Sequence, residues 1–235
     1  MSIRLEMINV SKKFKKKIAL HPFSLKVMEG ECIALCGGNG AGKSTLLHIL
    51  AGISRPSTGT VKIGQISLQQ SRKEYVSHIG YMPDEFFAQE TMTVAEFLRF
   101  YARLRKTSFS RVAELIQAMG LEKKKNEQIR NLSKGMRQRL LFGQALLGFP
   151  PVLILDEPTN GLDPNWIDAF IQLLKDRKQA GTTIVFSTHM MDVAAEVADR
   201  VIFMEDGQEV MVLANNYRNP GEFMDKLLHL YRKKG

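Results

Sequence analysis

The apolar positions of this chain fall into runs whose period changes along its length. Residues 3–10 and 18–27 read as strands, with Lys12-Lys13-Phe14-Lys15-Lys16-Lys17 as the turn between them. Glu31-Cys32-Ile33-Ala34-Leu35-Cys36 is a short, nearly continuous apolar run, the mark of a buried strand. Residues 44–51 read as a helix closed by Gly52. The turn Pro56-Ser57-Thr58-Gly59 precedes a strand over 60–66. From about Thr91 the period becomes helical. Thr93-Val94-Ala95-Glu96 predicts a capping box before Phe97, Phe100, Tyr101 and Leu104. Ser110 is expected to cap a second helix ending at Gly120. A polar connector over 122–127 follows, and Ser133 starts a third helix running to Gly148. Beyond Pro151 the short runs 152–155 and 182–186 have the character of buried parallel strands. Pro164 opens a helix to about Gln179, a hairpin closes around Asp206-Gly207, and residues 220–234 form a last amphipathic helix. The pattern is an α/β core interrupted by a helical block over about 86–149.

Between the strand ending at Cys36 and the following helix lies Gly37-Gly38-Asn39-Gly40-Ala41-Gly42-Lys43-Ser44-Thr45, which fits G-x-x-x-x-G-K-[ST] without a mismatch. Strand, glycine-rich loop and helix form the context that gives this motif its meaning. Glycines let successive backbone N–H groups curl around phosphate oxygens, and the loop delivers them to a helix N-terminus that favours negative charge. Lys43 is placed to reach the β- and γ-phosphates, and the Ser44 hydroxyl to sit on Mg²⁺. The chain therefore predicts a nucleotide-binding core. A second constellation, Asp156-Glu157, ends the apolar strand 152–155 and is stopped by Pro158. Beside a phosphate loop, a strand-end Asp can hold Mg²⁺ or its water, and the adjacent Glu can polarise an attacking water.

Composition changes little. At 235 residues, 44% hydrophobic and 24% charged, the chain is an ordinary globular one, long enough for one large domain with an inserted subdomain. No run approaches the roughly 20 apolar residues of a membrane helix, and the first residues lack a secretory apolar core. Cys32 and Cys36, with no second pair to complete a metal site, read as small buried residues of a reducing compartment. The net charge of +9 is spread over separate clusters, including 99–111 and 123–125, which read as solvated faces. They make no defined groove, and no nucleic acid is expected as a partner.

Asn131-Leu132-Ser133-Lys134-Gly135-Met136-Arg137-Gln138-Arg139 resembles the signature loop of ABC-transporter ATPases, usually Leu-Ser-Gly-Gly-Gln followed by Arg-Gln-Arg. The other pieces follow in the family's order: phosphate loop, helical insert, signature, Asp156-Glu157, Gly161-Leu162-Asp163-Pro164, then His189 after a strand. The resemblance spans most of the chain, from about Phe14 to His189. It implies a P-loop NTPase (RecA-like) core, an N-terminal antiparallel β subdomain and an inserted α-helical subdomain within one ATPase domain.

The resemblance also implies roles. Gly37 to Thr45 hold the phosphates of ATP and Mg²⁺, with Asp156 assisting the metal and Glu157 as general base. His189 contacts the γ-phosphate and orders the attacking water. Phe14 either stacks on adenine or is a core or turn aromatic. Ser133 and Gly135, at a helix N-terminus, meet the γ-phosphate held by an opposite subunit. One signature and one phosphate loop per chain thus imply a head-to-tail dimer, with a second copy or a related chain, enclosing two ATP molecules. Gly161 to Pro164 cross its interface.

Two departures stand out. Lys134 and Met136 replace Gly and Gln of the signature, and Asp84, after Ile79-Gly80-Tyr81-Met82-Pro83, stands where the family usually has a Gln that ligates Mg²⁺. A carboxylate oxygen can still ligate Mg²⁺, at the cost of added negative charge. Both departures resemble an export-type branch with a separate membrane subunit. The implied protein is an ATP-hydrolysing subunit, peripheral on the inner face of the cell membrane, driving an integral membrane permease that docks near Asp84 and the helical block. Phe86-Phe87 and Met92 are candidates for that groove or for core packing. A ribosome- or DNA-directed ATPase and a small-molecule kinase fit less well. The first would bring a second nucleotide unit or a long insertion, and the second has no need of the Glu157 and His189 pair.

Overall fold

The computed structural model describes residues 2–85, 90–217 and 219–232. Two sheets organise it. An antiparallel sheet of order β2-β1-β4-β5 is built from β1 (Ile3–Phe14), β2 (Lys17–Met28), β4 (Thr58–Ile63) and β5 (Ile66–Ser67). A second sheet of order β10-β9-β3-β8-β7-β6 contains β3 (Cys32–Cys36), β6 (Ile79–Met82), β7 (Val152–Leu155), β8 (Thr183–Ser187), β9 (Arg200–Glu205) and β10 (Gln208–Ala214). Within it β3, β6, β7, β8 and β9 run parallel, and β10 closes the edge as an antiparallel hairpin.

The parallel sheet separates two cores, and β3 shows how. Its alternate residues Ile33 and Leu35 face the antiparallel sheet and α1 (Lys43–Leu50), whereas Cys32, Ala34 and Cys36 face a larger core. That second core takes in α3 (Val94–Leu104), α4 (Phe109–Ala118), α5 (Lys134–Ala145), α6 (Pro164–Gln179), α7 (Met191–Val197) and α8 (Pro220–Arg232). A strand buried on both faces needs an unbroken apolar run, which is why Cys-Ile-Ala-Leu-Cys reads as it does. Both cysteines are fully buried, and burial pushes the Cys36 thiol up to about 12.

The helical block is anchored to the core by Arg105. Its guanidinium donates to the carbonyls of Val76 and Ser77, each at 3.2 Å, and of Ile79 at 2.6 Å, at the start of β6. Among the described residues no helix is long and apolar enough to cross a membrane.

The structure corrects several boundaries. The lysine-rich segment is not a six-residue turn: β1 runs on to Phe14, which pairs with Lys17, and only Lys15 and Lys16 turn. Pairing continues because Lys13 and Lys17 are exposed to water, where their repulsion is screened, and the Lys12 ammonium donates to the Arg55 carbonyl. The expected strand 60–66 begins earlier, at Thr58, and breaks at Gly64 into β4 and β5. The second helix is capped by Ser108, whose hydroxyl accepts from the Arg111 amide, rather than by Ser110. The third ends at Ala145, short of Gly148. The short helices α2 (Arg72–Ser77) and α7 carry too few turns to show a period. Met92 packs against the larger core, and Phe86 and Phe87 lie outside the described residues.

Candidate nucleotide site

The phosphate loop links β3 to α1, and two glycines show why its composition is required. Gly37 has φ 149°, and a Cβ there would lie 2.3 Å from the Met204 carbonyl oxygen. Gly42 caps α1 at φ 98°, a conformation that favours glycine. The neighbouring hairpin supports the loop: the Gly207 amide donates to the Ala41 carbonyl, and the His21 amide to the Gly207 carbonyl. Lys43 is buried, and its Nζ donates to the carbonyls of Gly37 (2.7 Å) and Gly38 (3.2 Å). An ammonium group so placed is held at the centre of the loop.

Around this loop opens a cleft of about 570 Å³. Asn39, Gly40, Ala41, Gly42, Lys43, Ser44 and Thr45 form its floor, with Phe14, Asp84 and Glu157 at its walls. Phe14 is 52% exposed at the end of β1, with Lys12 Nζ 4.8 Å from its ring centroid. The core alternative for Phe14 is therefore excluded: the ring borders the cleft.

Asp156 and Glu157 follow β7, directly beside the loop. Asp156 is buried, and its Oδ1 accepts from the Ser44 hydroxyl (3.2 Å) and the Ser187 hydroxyl (2.7 Å). Glu157 takes a left-handed backbone, φ 43°, rare for a residue with a Cβ. Three groups hold it there. Its amide donates to Ser187 Oγ at 2.8 Å, and its carbonyl accepts from the Asn160 amide at 3.0 Å and from Gln138 Nε2 at 3.2 Å. The carboxylate then lies between Lys43 Nζ, 3.8 Å away, and His189 Nδ1, 2.9 Å away. Tyr81, on the adjoining strand, has its phenol pushed up first by burial and then by the Asp156 and Asp84 carboxylates.

Asp84 Oδ1 accepts from Asn160 Nδ2 at 3.0 Å. Ser133 and Gly135 are not part of this cleft among its described lining residues; they start α5, with the Ser133 hydroxyl accepting from the Met136 amide. Asp163 caps α6 by accepting from the Trp166 amide, as Asp163-Pro164 predicts. Three supporting residues escaped the sequence reading. Gln138 lay within the signature match, but Ser187 and Asn160 carry no local signal, because what they hold is distant in sequence. Among the described residues no cluster of three or more His, Cys, Asp or Glu side chains forms a metal cage.

The arrangement can bind a polyphosphate on the loop and offer a carboxylate base at its mouth. Known proteins agree. The ABC transporter family matches residues 20–160. The chain is 32% identical over 214 residues to Nod factor export ATP-binding protein I of Rhizobium johnstonii, covering 88% of this chain and 68% of that protein. It is 35% identical over 209 residues to the uncharacterized ABC transporter ATP-binding protein YxlF of Bacillus subtilis, covering 87% of this chain and 68% of the relative. Its fold superposes on the dimeric, ADP- and Pi-bound ATP-binding cassette MJ0796 in a post-hydrolysis state with a TM-score of 0.85 and 27% identity, over 91% of this chain and 99% of that one. The chain belongs to the ABC transporter family and is an ATP-binding, ATP-hydrolysing subunit that powers transport.

Proposed function

We propose that this subunit hydrolyses ATP at two composite sites of a head-to-tail dimer and so drives export through a separate membrane-spanning permease. The observation that carries the reading is the Glu157 carboxylate, set between Lys43 and His189 at the mouth of the phosphate-loop cleft. In this reading the amides of Gly37, Gly38, Asn39, Gly40, Ala41, Gly42, Ser44 and Thr45 cradle the phosphates of ATP, and Phe14 stacks on the adenine. Lys43 exchanges its backbone acceptors for β- and γ-phosphate oxygens. Glu157 takes a proton from the attacking water, and His189 orients that water and the γ-phosphate.

The donor set near the loop suits Mg²⁺. Ser44, Asp156 and Asp84 offer hydroxyl and carboxylate oxygens, and Mg²⁺ is ordinarily held by one or two carboxylates together with phosphates and waters rather than a protein cage. When bound, it neutralises developing charge on the phosphates. Ser133 and Gly135 stand at the exposed start of α5, where free amides suit a γ-phosphate presented by the partner subunit. The exposed Gly161-to-Pro164 loop lies on the same side of α5: a Cβ on Gly135 would come within 2.7 Å of the Gly161 carbonyl oxygen. Both features support a dimer in which each chain completes the other's site. The dimeric state of the MJ0796 cassette and the export role named for the Rhizobium relative support the same reading. The permease docks near Asp84 and the helical block, which places the subunit on the inner face of the cell membrane in this scheme.

Glu157→Gln is the test. It keeps the shape and removes the base, so hydrolysis is expected to fall about 10²–10⁴-fold with ATP affinity retained. ATP should then hold the variant as a dimer in light scattering. Unchanged phosphate release would sink the assignment of Glu157. Tagged Glu157→Gln protein should also retain a multi-span membrane protein at near-stoichiometric yield, and recovery only with ribosomes or nucleic acid would refute the transporter partner.

A further inference from the structure

Two of the three positions at which this chain departs from the family pattern, Lys134 and Asp84, are joined through Asn160. Lys134, the first residue of α5, places Nζ 3.2 Å from Asn160 Oδ1. Asn160 Nδ2 in turn donates to Asp84 Oδ1 at 3.0 Å. The chemistry of the ends sets the direction of this chain. An ammonium only donates and a carboxylate only accepts, so the amide must face its oxygen to Lys134 and its NH₂ to Asp84. Both hydrogen bonds are charge-assisted, and each polarises the amide in the sense that strengthens the other.

The backbone leaves this link little slack. A Cβ on Gly161 would lie 2.9 Å from Lys134 Cδ, so the lysine stem lies flat on the residue after Asn160. Asn160 is also tied to the base, because its own amide donates to the Glu157 carbonyl at 3.0 Å. From the same helix, Gln138 reaches that carbonyl as well. The first turns of α5 are therefore connected to both acidic residues that wall the chain's own cleft.

We propose that Lys134 and Asn160 are positioning residues for Asp84. The Lys134 charge, relayed through the Asn160 amide, holds the Asp84 carboxylate in one orientation and offsets the negative charge it brings to a polyphosphate site. The proposal rests on the reading of Asp84 as part of the Mg²⁺ site. It makes Lys134 and Asp84 a matched pair. It also ties the helix start that faces a partner's nucleotide to the metal side of the chain's own.

The test measures Mg²⁺-dependent binding of a fluorescent ATP analogue to the full chain in a Glu157→Gln background, where turnover does not interfere. Lys134→Met and Asn160→Ala should each raise the Mg²⁺ concentration at half-saturation by about 10-fold, the low end of what losing a residue behind a metal ligand costs. Lys134→Arg, which keeps a donor cation, should restore the original value. In an Asp84→Asn background, which removes the charge that Lys134 offsets, Lys134→Met should add nothing further. An equal shift with and without Asp84 would overturn the pairing. So would a Lys134→Met protein whose Mg²⁺ requirement is unchanged but whose ATP-driven dimer is weakened, since Lys134 would then serve the partner's phosphate. If Asp84→Asn shifts the Mg²⁺ requirement and the other two variants do not, this inference fails alone. If Asp84→Asn shifts nothing, the metal role of Asp84 fails and the inference falls with it.

Discussion

Glu157 combines an unusual backbone with the carboxylate proposed as the base. A non-glycine residue at φ 43° carries roughly 1–3 kcal/mol of strain, which persists only where neighbours over-determine it. Ser187 is one of the buried neighbours that do this, since its hydroxyl donates to Asp156 and accepts from the Glu157 amide. Ser187→Ala removes both contacts without filling space. It is expected to cost about 1–3 kcal/mol in urea unfolding, the penalty for a buried donor left without a partner. Its kcat should fall while ATP affinity changes little, because the phosphate loop itself is untouched. A drop in affinity with kcat preserved would place Ser187 with the loop rather than with Glu157.

At the scale of single elements, caps decide where helices begin. Thr93 and Glu96 form the capping box foreseen from their spacing: the Glu96 amide donates to the Thr93 hydroxyl, and Glu96 Oε2 accepts from the Thr93 amide and hydroxyl. Those contacts hold the Glu96 carboxyl below the usual carboxylate range, the Thr93 amide contributing most. A carboxylate with a lowered pKa in the folded state stabilises α3 fully above the ordinary carboxylate range. That support is lost as pH falls through the lowered value. Thr93→Ala should cost about 1 kcal/mol at neutral pH and make the loss of α3 protection on acidification shallower, as read by amide exchange. An unchanged acid dependence would mean that the carboxylate acts through other groups. The two serines at the start of α4 show the limit of such signals. Ser108 and Ser110 are both cap-forming residue types with hydroxyls 2.8 Å apart, but the helix starts at Phe109, so Ser108 caps it and Ser110 lies in its first turn.

At the scale of the whole molecule, one exposed block of helices must stay in register with a buried sheet. Arg105 makes that junction with three main-chain carbonyls, those of Val76 and Ser77 at the end of α2 and of Ile79 at the start of β6, the strand that leads to Asp84. Partial burial holds its guanidinium pKa below the usual value, so the junction is made at some desolvation cost. Arg105→Met keeps the stem and abandons the carbonyls. A loss of about 2–4 kcal/mol is expected, with faster amide exchange in β6 and α3 but not in α8. Uniform exchange across all three would show that the two parts unfold as one unit.

Sequence by itself determined the pieces whose physics is local. The phosphate loop needs glycines within a few residues of Lys43, parallel strands need unbroken apolar runs, and caps need a hydroxyl or carboxylate three residues from an amide. Those features were readable because cause and effect lie within one turn or one strand. Tertiary structure decided what depends on separation in the chain. Phe14 became a wall of the cleft because β1 pairs on to its last residue. Ser187 meets Asp156 across 31 positions because β7 and β8 are parallel neighbours. Lys134 meets Asp84 through Asn160 because the close approach of Gly135 to Gly161 leaves no room between α5 and that loop. No periodicity encodes such meetings; they follow from strand order and from which surfaces exclude water together.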